Sequence, residues 1–273
     1  MAARLAAAPP GASAEETLGA LPATRTEAVL VTGYYEPLLA AREQPDARFR
    51  FPILGAPPRA GRHPPRAAIE AGALAGRAPI LFFTDDEIGL FFLHIQGSGR
   101  LVLPGGRRIR LGYAGTNGRR YTAIGRILVE RRELSLDEAT APAIRAWLEG
   151  HPAEARALMQ RNERFVFFRK LDLPEAEGPP GALGVPLVSG RSVAVDSAVV
   201  ALGSVGLLDT TLPSGEPLRR VVVAMDRGAA IRGPARIDLF LGPGTAAAEI
   251  AGLLRSPGQV RWFVPSRARR TTP

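Results

Sequence analysis

Short apolar runs separated by glycine and proline turns dominate the hydrophobic pattern of this chain. The stretches AVLVTGYYEP (28–37), APILFFTD (78–85) and RFVFF (164–168) are rich in β-branched and aromatic residues, which is typical of β-strands. The longer run IGLFFLHIQGSGRLVLPGGRRIRLGY (88–113) is interpreted in the same way, as strands joined by turns, and its PGG (104–106) marks a hairpin. These parts of the pattern predict β-structure.

Apolar residues with helical spacing are concentrated between about residues 118 and 162. The stretch IGRIL (124–128) repeats apolar residues at three- and four-residue intervals, as one helix face does. Ser135 and Glu138 have the spacing of a capping box, and Pro152 suits the first turn of a further helix. Shorter helices are predicted in PRAAIEAGALAGR (65–77) and GTAAAEIAGLLR (244–255).

Strands dominate again from residue 185 onward. The runs are VPLV (185–188), SVAVD (192–196), LRRVVVAMD (218–226), RIDLFLG (236–242) and VRWFVP (260–265). Many short strands with one helical segment indicate a mainly β or α+β protein, and a barrel is favoured over an open parallel sheet.

The composition excludes several kinds of site. The 273 residues suffice for one large domain or two moderate ones. The absence of cysteine excludes disulfides, thiolate metal sites, cysteine nucleophiles and lipid attachment through cysteine. The three histidines, His63, His94 and His151, are far apart in sequence, so neither a metal site nor a cofactor is predicted.

Signals for membrane insertion or export are not recognisable in the sequence. No apolar run approaches the roughly 20 residues that a membrane helix needs. The start MAARLAAAPPGASAEE lacks the continuous apolar core of a signal peptide. We therefore expect no transmembrane segment and no secretion signal in this stretch.

The net charge of +9 raises the question of an acidic partner. The arginines are scattered, and aromatic residues make up only 6% of the chain, without a basic–aromatic stripe. This distribution disfavours nucleic acid, although a basic nucleic-acid-binding protein remains one alternative. An acidic polymer as substrate, or an arginine-rich composition alone, explains the charge equally well.

Three aspartates lie at or near the ends of apolar, β-rich runs. They are Asp196 in SVAVD, Asp226 in VVVAMD and Asp238 in ARID. A single strand-terminal aspartate usually caps a turn, but three within one β-rich segment indicate shared chemistry. Burial and like-charged neighbours both raise a carboxyl pKa, and a carboxyl that stays protonated near neutrality is what a general acid requires. Gly228, which follows Asp226, belongs to an ordinary turn or brings bare backbone close to a ligand.

Glycine-rich segments with tyrosine, amide and hydroxyl side chains suit carbohydrate binding. They are VTGYYEP (31–37), HIQGSGR (94–100) and GYAGTNGRRY (112–121). Amides and hydroxyls bond sugar hydroxyls, while rings cover the apolar faces of sugars. The GSG triplet lacks the GK[ST] ending of a phosphate loop, and QGSGR is only a fragment of the G-x-S-x-G motif, so neither a nucleotide loop nor a Ser–His–Asp triad is favoured.

In this order, the segments resemble the membrane-bound lytic transglycosylase A family, which cleaves peptidoglycan. The resemblance covers roughly residues 28 to 265. The matching stretches are VTGYYEPLLAAR, FPIL, AAIEAGAL, IQGSGRL, GYAGTNGRRYTAIGRILVERREL, AIRAWL, NERFVFFR, VPLVSGRSVAVD and VVVAMDRGAAIRGPARIDLFLGPG. The three aspartates correspond to the C-terminal 3D region of that family.

The resemblance implies a mainly β fold with two domains. A double-psi β-barrel with some helices would comprise residues 1–36 and 112–273, including a 3D region at about 185–265. A smaller β-barrel would be inserted at residues 37–111, and the groove between the two domains would hold a glycan strand.

The resemblance also implies roles for individual residues. Asp226 matches the single catalytic acid/base, and Asp196, Asp238 and Gly228 match supporting positions. The implied substrate-binding positions are Thr32, Tyr34, Tyr35, Glu36, Gln96, Gly97, Ser98, Gly99 and Tyr113.

The implied activity is cleavage of the MurNAc–GlcNAc β-1,4 bond with formation of 1,6-anhydromuramic acid. The expected partners are peptidoglycan glycan strands and a cell-wall enzyme complex, with the chain itself a monomer. The substrate implies a location in the periplasm or cell envelope, although the cysteine that usually anchors the family to lipid is absent. A barrel module that binds peptidoglycan or another polysaccharide without cleaving it is the main alternative.

Overall fold

The computed structural model describes residues 13, 25–59, 61–174, 177–228 and 230–263. The chain divides into two compact units. The barrel unit comprises Met1–Gly33, Gly181–Phe240 and Leu254–Pro273, as far as these ranges are described, and the sheet unit comprises Tyr34–Pro180 and Leu241–Leu253.

Twelve strands and six α-helices make up the two units. The strands are β1 (Arg25–Glu36), β2 (Leu38–Arg42), β3 (Phe51–Leu54), β4 (Ile80–Thr84), β5 (Gly99–Val102), β6 (Arg108–Thr116), β7 (Val166–Leu171), β8 (Ser192–Ala194), β9 (Val205–Thr211), β10 (Pro217–Asp226), β11 (Arg236–Pro243) and β12 (Arg255–Phe263). The helices are α1 (Arg66–Glu70), α2 (Glu87–Gln96), α3 (Ile124–Glu130), α4 (Ala141–Gly150), α5 (Pro152–Gln160) and α6 (Gly244–Leu253). The counts of strands and helices refer to the described residues.

The barrel unit is a closed barrel with the strand order β1-β11-β8-β10-β9-β12. Strands β8 and β10 pair in parallel, whereas β9 pairs antiparallel with both β10 and β12. Alternate residues point inward in such a barrel, and they fill its interior with aliphatic side chains. Fully buried examples are Val31, Val193, Leu208, Val222 and Val260.

The sheet unit contains a six-stranded sheet with the order β3-β4-β2-β5-β6-β7. An isolated bridge between Gly55 and Phe168 joins the two edges, since Gly55 directly follows β3 and Phe168 lies in β7. The sheet therefore curls toward closure around a core of buried aliphatic and aromatic residues, among them Ile53, Phe82, Leu93, Leu101 and Leu111. The predicted fold class, mainly β with a barrel and a second β-unit, is confirmed.

One predicted strand region is wrong, because residues 87–96 form helix α2. The segment EIGLFFLHIQ buries Gly89, Leu90, Phe91, Phe92, Leu93 and His94, and periodicity alone does not separate a buried helix from a buried strand. Its local signals are those of a helix. Asp86 caps the start, with its Oδ1 accepting from the Gly89 N–H at 2.6 Å, and Gly97 ends the helix at φ +81°.

The predicted capping box forms, but around a turn instead of a helix. The backbone N–H groups of Ser135 and Glu138 donate to each other's side chains at 3.1 and 3.3 Å. Helix α4 begins later, at Ala141, where the Thr140 hydroxyl accepts from the Ala143 N–H at 3.4 Å.

The predicted strand at residues 185–188 is also wrong. Residue 185 is a bend and residue 186 makes a single β-bridge, so no strand extends along the segment, and neighbouring backbone bonds are made locally. The Gly181 N–H donates to the Val185 carbonyl, and the Val188 carbonyl accepts from the Arg191 and Ser192 N–H groups.

The division into compact units differs from the predicted domain boundaries. Residues 112–180 belong to the sheet unit together with residues 37–111. Strand β6 crosses the predicted boundary after residue 111 and pairs on both sides within the same sheet, with β5 and β7. The assignment of residues 1–36 and 112–273 to the catalytic domain stays a prediction.

Among the described residues, each helix is too short or too polar to cross a membrane.

Candidate functional site

The barrel aligns two of the three predicted aspartates across neighbouring strands. Asp226 of β10 and Asp238 of β11 are both register partners of Ala194, which lies on the strand between them. Register partners on adjacent strands point to the same face of a sheet, and the two Cα atoms are therefore about 10 Å apart. Asp196 follows two residues after Ala194, so the strand order gathers all three carboxylates at one region of the barrel.

Asp238 is the carboxyl of this group whose environment favours the protonated form. The Thr32 hydroxyl donates to its Oδ1 at 2.9 Å. No ion pair of Asp238 within 4 Å occurs among the described residues. Burial raises the pKa of Asp238 to about 6, and the nearby Asp226 carboxylate adds to the rise. The Thr32 bond and the charge of Arg236 lower the pKa without offsetting the burial.

Asp226 is held by the backbone of a neighbouring loop. Its Oδ1 accepts from the Ala182 N–H at 3.1 Å, and its own carbonyl accepts from the Val195 N–H at 3.1 Å. The strand bulges between Ala224 and Asp226, and such irregularities re-aim side chains next to active sites.

The surroundings of Asp196 favour its ionised form. The N–H groups of Gly233 and Ala198 donate to its two carboxylate oxygens at 2.9 and 3.1 Å. These backbone bonds lower the pKa of Asp196. Since a group that stays ionised cannot donate a proton near neutral pH, Asp196 is suited to fixing the loop at Gly233.

Gly228 lies two residues beyond Asp226. A Cβ atom at this position would approach Cγ1 of Ile231 to 2.9 Å, and Ile231 is itself buried. The described geometry therefore explains the glycine by close packing in the turn.

In the sheet unit, the predicted tyrosine and glutamine positions come together. The Tyr35 N–H donates to Oε1 of Gln96 at 3.2 Å. Burial raises the pKa of the Tyr35 phenol, Arg145 lowers it and Asp86 raises it. Tyr35 and Gln96 both keep partial exposure, so each retains surface for a ligand.

The glycine–serine segment that follows Gln96 joins helix α2 to strand β5. Gly97 has the left-handed conformation of a helix C-cap, and Ser98 is half-buried. Gly99 is buried against the sheet, where a Cβ atom would approach Leu93 to 2.3 Å. Ser98 is thus the member of this segment that offers a side chain to a ligand.

Glu36 is the predicted site residue that the structure buries most completely. Its exposed fraction is 0%, and its carboxylate oxygens contact Nε of Arg100 at 2.7 Å and Nε of Arg110 at 3.2 Å. Arg110 also donates to the carbonyls of Glu177 and Gly178. This environment disfavours direct contact of Glu36 with a ligand, and its predicted binding role stays a prediction.

The other predicted positions keep surface. Thr32 and Tyr34 on β1 are half-buried, and the Tyr113 side chain on β6 is exposed. No cluster of three or more metal-ligating side chains occurs among the described residues.

Sequence reasoning missed the backbone donors around the carboxylates. The Ala182 and Gly233 N–H groups fix Asp226 and Asp196, and no residue type signals such a role, because almost any residue supplies an N–H. It also missed Arg100 and Arg110, whose pairing with Glu36 depends on which strands become neighbours.

Two family models match the chain. The model described as the MltA specific insert domain matches residues 30–169, and the 3D domain matches residues 191–264.

Two curated relatives named membrane-bound lytic murein transglycosylase A match most of the chain. Membrane-bound lytic murein transglycosylase A of Escherichia coli K12 is 37% identical over 241 residues, which are 85% of this chain and 64% of the relative. The protein of the same name from Vibrio cholerae is 33% identical over 258 residues, which are 87% of this chain and 69% of the relative. The chain thus matches less than two thirds of the length of the E. coli relative.

Solved structures agree with this relationship. The crystal structure of E. coli MltA with bound chitohexaose has a TM-score of 0.80 and 34% identity, covering 87% of this chain and 71% of that one. From the family models and these relatives, the chain belongs to the family of membrane-bound lytic murein transglycosylase A.

Proposed function

We propose that this chain is a peptidoglycan lytic transglycosylase whose acid/base chemistry resides in the carboxyl pair Asp226 and Asp238. The observation that carries the proposal is the register of Asp226 and Asp238 with Ala194, which brings the two carboxyl groups together in a barrel of this family, where burial raises the pKa of Asp238 to about 6. Such a group holds a proton close to neutral pH and accepts it again after releasing it.

The reaction needs one proton shuttle and no water. Protonated Asp238 donates to the glycosidic oxygen as the bond from that oxygen to the anomeric carbon of a muramoyl residue breaks. The C6 hydroxyl oxygen of the same residue forms a new bond to the anomeric carbon. Its proton passes to the Asp238 carboxylate, which restores the starting state and leaves a 1,6-anhydro end.

Asp238 fits this role better than its neighbours do. Asp196 is kept ionised by two backbone N–H groups, and Asp226 is held by the Ala182 N–H. Asp226 then supports the acid by raising the pKa of Asp238. The sequence prediction that Asp226 is itself the acid stays open to the experiment below.

An intramolecular nucleophile accounts for much of the expected rate. Well-oriented intramolecular reactions reach effective molarities of about 10⁵–10⁸ M. A positioned acid/base adds roughly 10²–10⁴-fold. Ordinary glycosidases need a second carboxylate to handle water, whereas here the substrate supplies its own attacking hydroxyl.

The sheet unit is proposed to contact the glycan. Tyr34, Tyr35, Gln96, Ser98 and Tyr113 are at least partly exposed and offer rings, an amide and hydroxyls. The solved E. coli relative with bound chitohexaose supports sugar binding in the family. Because the substrate is cell-wall polymer, we also propose that the protein acts in the cell envelope.

The product mass tests the activity. Purified sacculi are incubated with the protein, and soluble muropeptides are weighed by mass spectrometry. Anhydro products, lighter than hydrolysis products by one water, are expected. Ordinary reducing ends would identify a hydrolase, and binding without release would identify a polysaccharide-binding module; either result overturns the proposal.

Three variants separate the roles of the aspartates. We expect Asp238→Asn to lose about 10²–10⁴-fold in kcat, because the shuttle is removed. Asp226→Asn should retain more activity than Asp238→Asn. Asp209→Asn, a partly exposed carboxylate on β9 of the same barrel, is the matched control and should retain full activity. Normal turnover in Asp238→Asn together with loss in Asp226→Asn would assign the acid to Asp226.

A further inference from the structure

The loop of residues 181–188, GALGVPLV, is an apolar surface fixed beside Asp226. Leu183, Val185 and Val188 have exposed fractions of 43%, 44% and 51%. Single exposed aliphatic residues are common, but three large ones within six residues form a contiguous patch, and such patches mark interaction sites.

This loop is held rigidly by backbone hydrogen bonds. The Gly181 N–H donates to the Val185 carbonyl at 2.9 Å, and the Leu183 N–H donates to the Met225 carbonyl at 3.3 Å. A Cβ atom on Gly181 would approach the Met225 carbonyl oxygen to 2.6 Å, so glycine permits the close packing. The exposure of Leu183 and Val185 is therefore a fixed feature of the loop.

The same backbone ties the loop to the carboxyl pair. The Ala182 N–H donates to Oδ1 of Asp226 at 3.1 Å, next to the exposed side chain of Leu183. The loop therefore lies beside the carboxyl pair, and its exposed side chains are available to a substrate that reaches Asp226.

The chemistry of the loop selects one part of a peptidoglycan strand. Residues 181–188 contain no aromatic ring and no polar side chain, so they neither stack on a sugar nor bond its hydroxyls. Branched aliphatic side chains match methyl groups. A muramoyl residue carries such groups on its lactyl ether and on the alanine that begins its peptide stem, and a chitin oligomer lacks both.

Resting on the proposed function, we propose that Leu183 and Val185 form a specificity surface for the lactyl–peptide substituent of the muramoyl residue. The surface distinguishes stem-bearing peptidoglycan from glycans that carry only N-acetyl groups. It contributes to binding and takes no part in proton transfer.

A near-isosteric polar variant tests this role. In Leu183→Asn/Val185→Thr the branching and the number of side-chain heavy atoms are kept, and both side chains are exposed, so the fold is expected to persist. The matched control is Leu136→Asn, which changes a leucine of the sheet unit with an exposed fraction of 62%. Circular dichroism and the melting temperature establish folding for each variant.

Binding and turnover are measured separately. Dissociation constants are determined in an Asp238→Asn background for soluble stem-bearing glycan strands, for the same strands after amidase removal of the stems, and for chitohexaose. The double variant should weaken binding of stem-bearing strands by about tenfold, as the loss of two or so buried methyl groups implies. The effect on stripped strands should be smaller, and chitohexaose should change by less than twofold.

In the otherwise wild-type protein, KM for stem-bearing strands should rise by about tenfold while kcat stays within about twofold. An equal loss for chitohexaose, an unchanged affinity for stem-bearing strands, or a fall in kcat at constant KM would each overturn the inference. Discrimination in binding without any anhydro product would refute the proposed function and leave the loop assignment standing. Anhydro products together with equal effects of the double variant on stem-bearing strands and chitohexaose would support the proposed function and refute the loop assignment.

Discussion

Glu36 and Asp238 are both carboxyl groups on strands, the first fully buried and the second half-buried, but they have opposite neighbours. Glu36 in the sheet unit is contacted by the guanidinium groups of Arg100 and Arg110. Asp238 in the barrel unit has the Thr32 hydroxyl as its hydrogen-bond donor and the like-charged Asp226 nearby. The charge of Glu36 is neutralised by cations, whereas the surroundings of Asp238 raise its pKa and favour the protonated form.

This difference separates a scaffold from a reactive group. A buried charge is costly unless it is paired or protonated. Pairing with two arginines fixes Glu36 to strands β5 and β6, and Arg110 extends the network to the carbonyls at residues 177 and 178. The raised pKa lets Asp238 hold a proton closer to neutral pH than an ordinary carboxyl does. Under the proposed function, the same kind of side chain therefore contributes stability in one unit and reactivity in the other.

Removal of the Glu36 charge is expected to have the largest effect on stability. Glu36→Gln leaves Arg100 and Arg110 buried without their carboxylate, which costs about 3–5 kcal/mol. Urea unfolding measures the loss. Glu43→Gln is the matched control, because the Glu43–Arg107 pair is exposed and such pairs contribute about 0–1 kcal/mol. If both variants lost the same free energy of unfolding, the buried Glu36 would stabilise the protein no more than the exposed Glu43 does.

Removing the charge of Asp238 should raise the free energy of unfolding, whereas removing that of Glu36 should lower it. Its pKa is higher in the folded protein, about 6, than in the unfolded chain, near 3.9. The favourable contribution is therefore complete below the unfolded pKa and is lost as the pH rises through about 6. Above that pH the ionised group costs roughly 1–3 kcal/mol.

Asp238→Asn is thus expected to gain stability relative to the wild type between pH 4 and pH 8, by about 1–3 kcal/mol. Denaturant unfolding at both pH values provides the measurement, with Asp209→Asn as control. A stability difference that does not change with pH would mean that Asp238 titrates like an ordinary carboxyl.

Removal of the Thr32 hydroxyl is expected to have the smallest effect of these changes, and the effect is on the pH dependence of the rate. Thr32→Val removes the hydrogen bond that lowers the pKa of Asp238, so the pKa should rise. Because the protonated form is the active acid, kcat/KM falls at high pH, and this alkaline limb should move to higher pH. The change in rate at the optimum should be no more than about tenfold, since the active form is the neutral acid and a hydrogen bond between neutral groups is worth about 0.5–1.5 kcal/mol.

A pH–rate profile checks this, with Thr210→Val as the matched control. The Thr210 hydroxyl donates to the Pro257 carbonyl at 2.9 Å within the same barrel, on strand β9. An alkaline limb that stays in place in Thr32→Val, or that moves equally in Thr210→Val, would exclude a specific effect of Thr32 on the acid.

The sequence predicts the strands that carry the aspartates because their apolar runs are local. Strand β8 falls within its predicted run, and strands β10 and β11 match theirs to within one residue at one end. The sequence of helix α2 is interpreted as a strand because its apolar residues face most directions around the helix, which removes the one-sided spacing of an amphipathic helix. Asp86 and Gly97 nevertheless mark the two ends of the helix. Local signals at helix ends thus carry information that an apolar run lacks.

The choice among the three aspartates depends on strand order, which the local pattern does not contain. Asp226 and Asp238 both end or interrupt an apolar run in the same way. Their environments differ because Thr32, distant in sequence, bonds Asp238, whereas the Ala182 N–H bonds Asp226. The family resemblance selects Asp226, whereas the raised pKa of Asp238 is the basis of our proposal that Asp238 is the acid, and the prediction for Asp226 stays a prediction.

Direct titration of the Asp238 carboxyl tests the central claim. Protein labelled with ¹³C at aspartate carboxyl groups is followed by NMR from pH 3 to pH 9, for the wild type and for Asp238→Asn and Asp226→Asn. One carboxyl resonance should titrate with a midpoint near 6, vanish in Asp238→Asn and move to lower pH in Asp226→Asn. If every aspartate instead titrated below about pH 5, or if the high midpoint vanished only in Asp226→Asn, Asp238 would not be the residue that holds the proton.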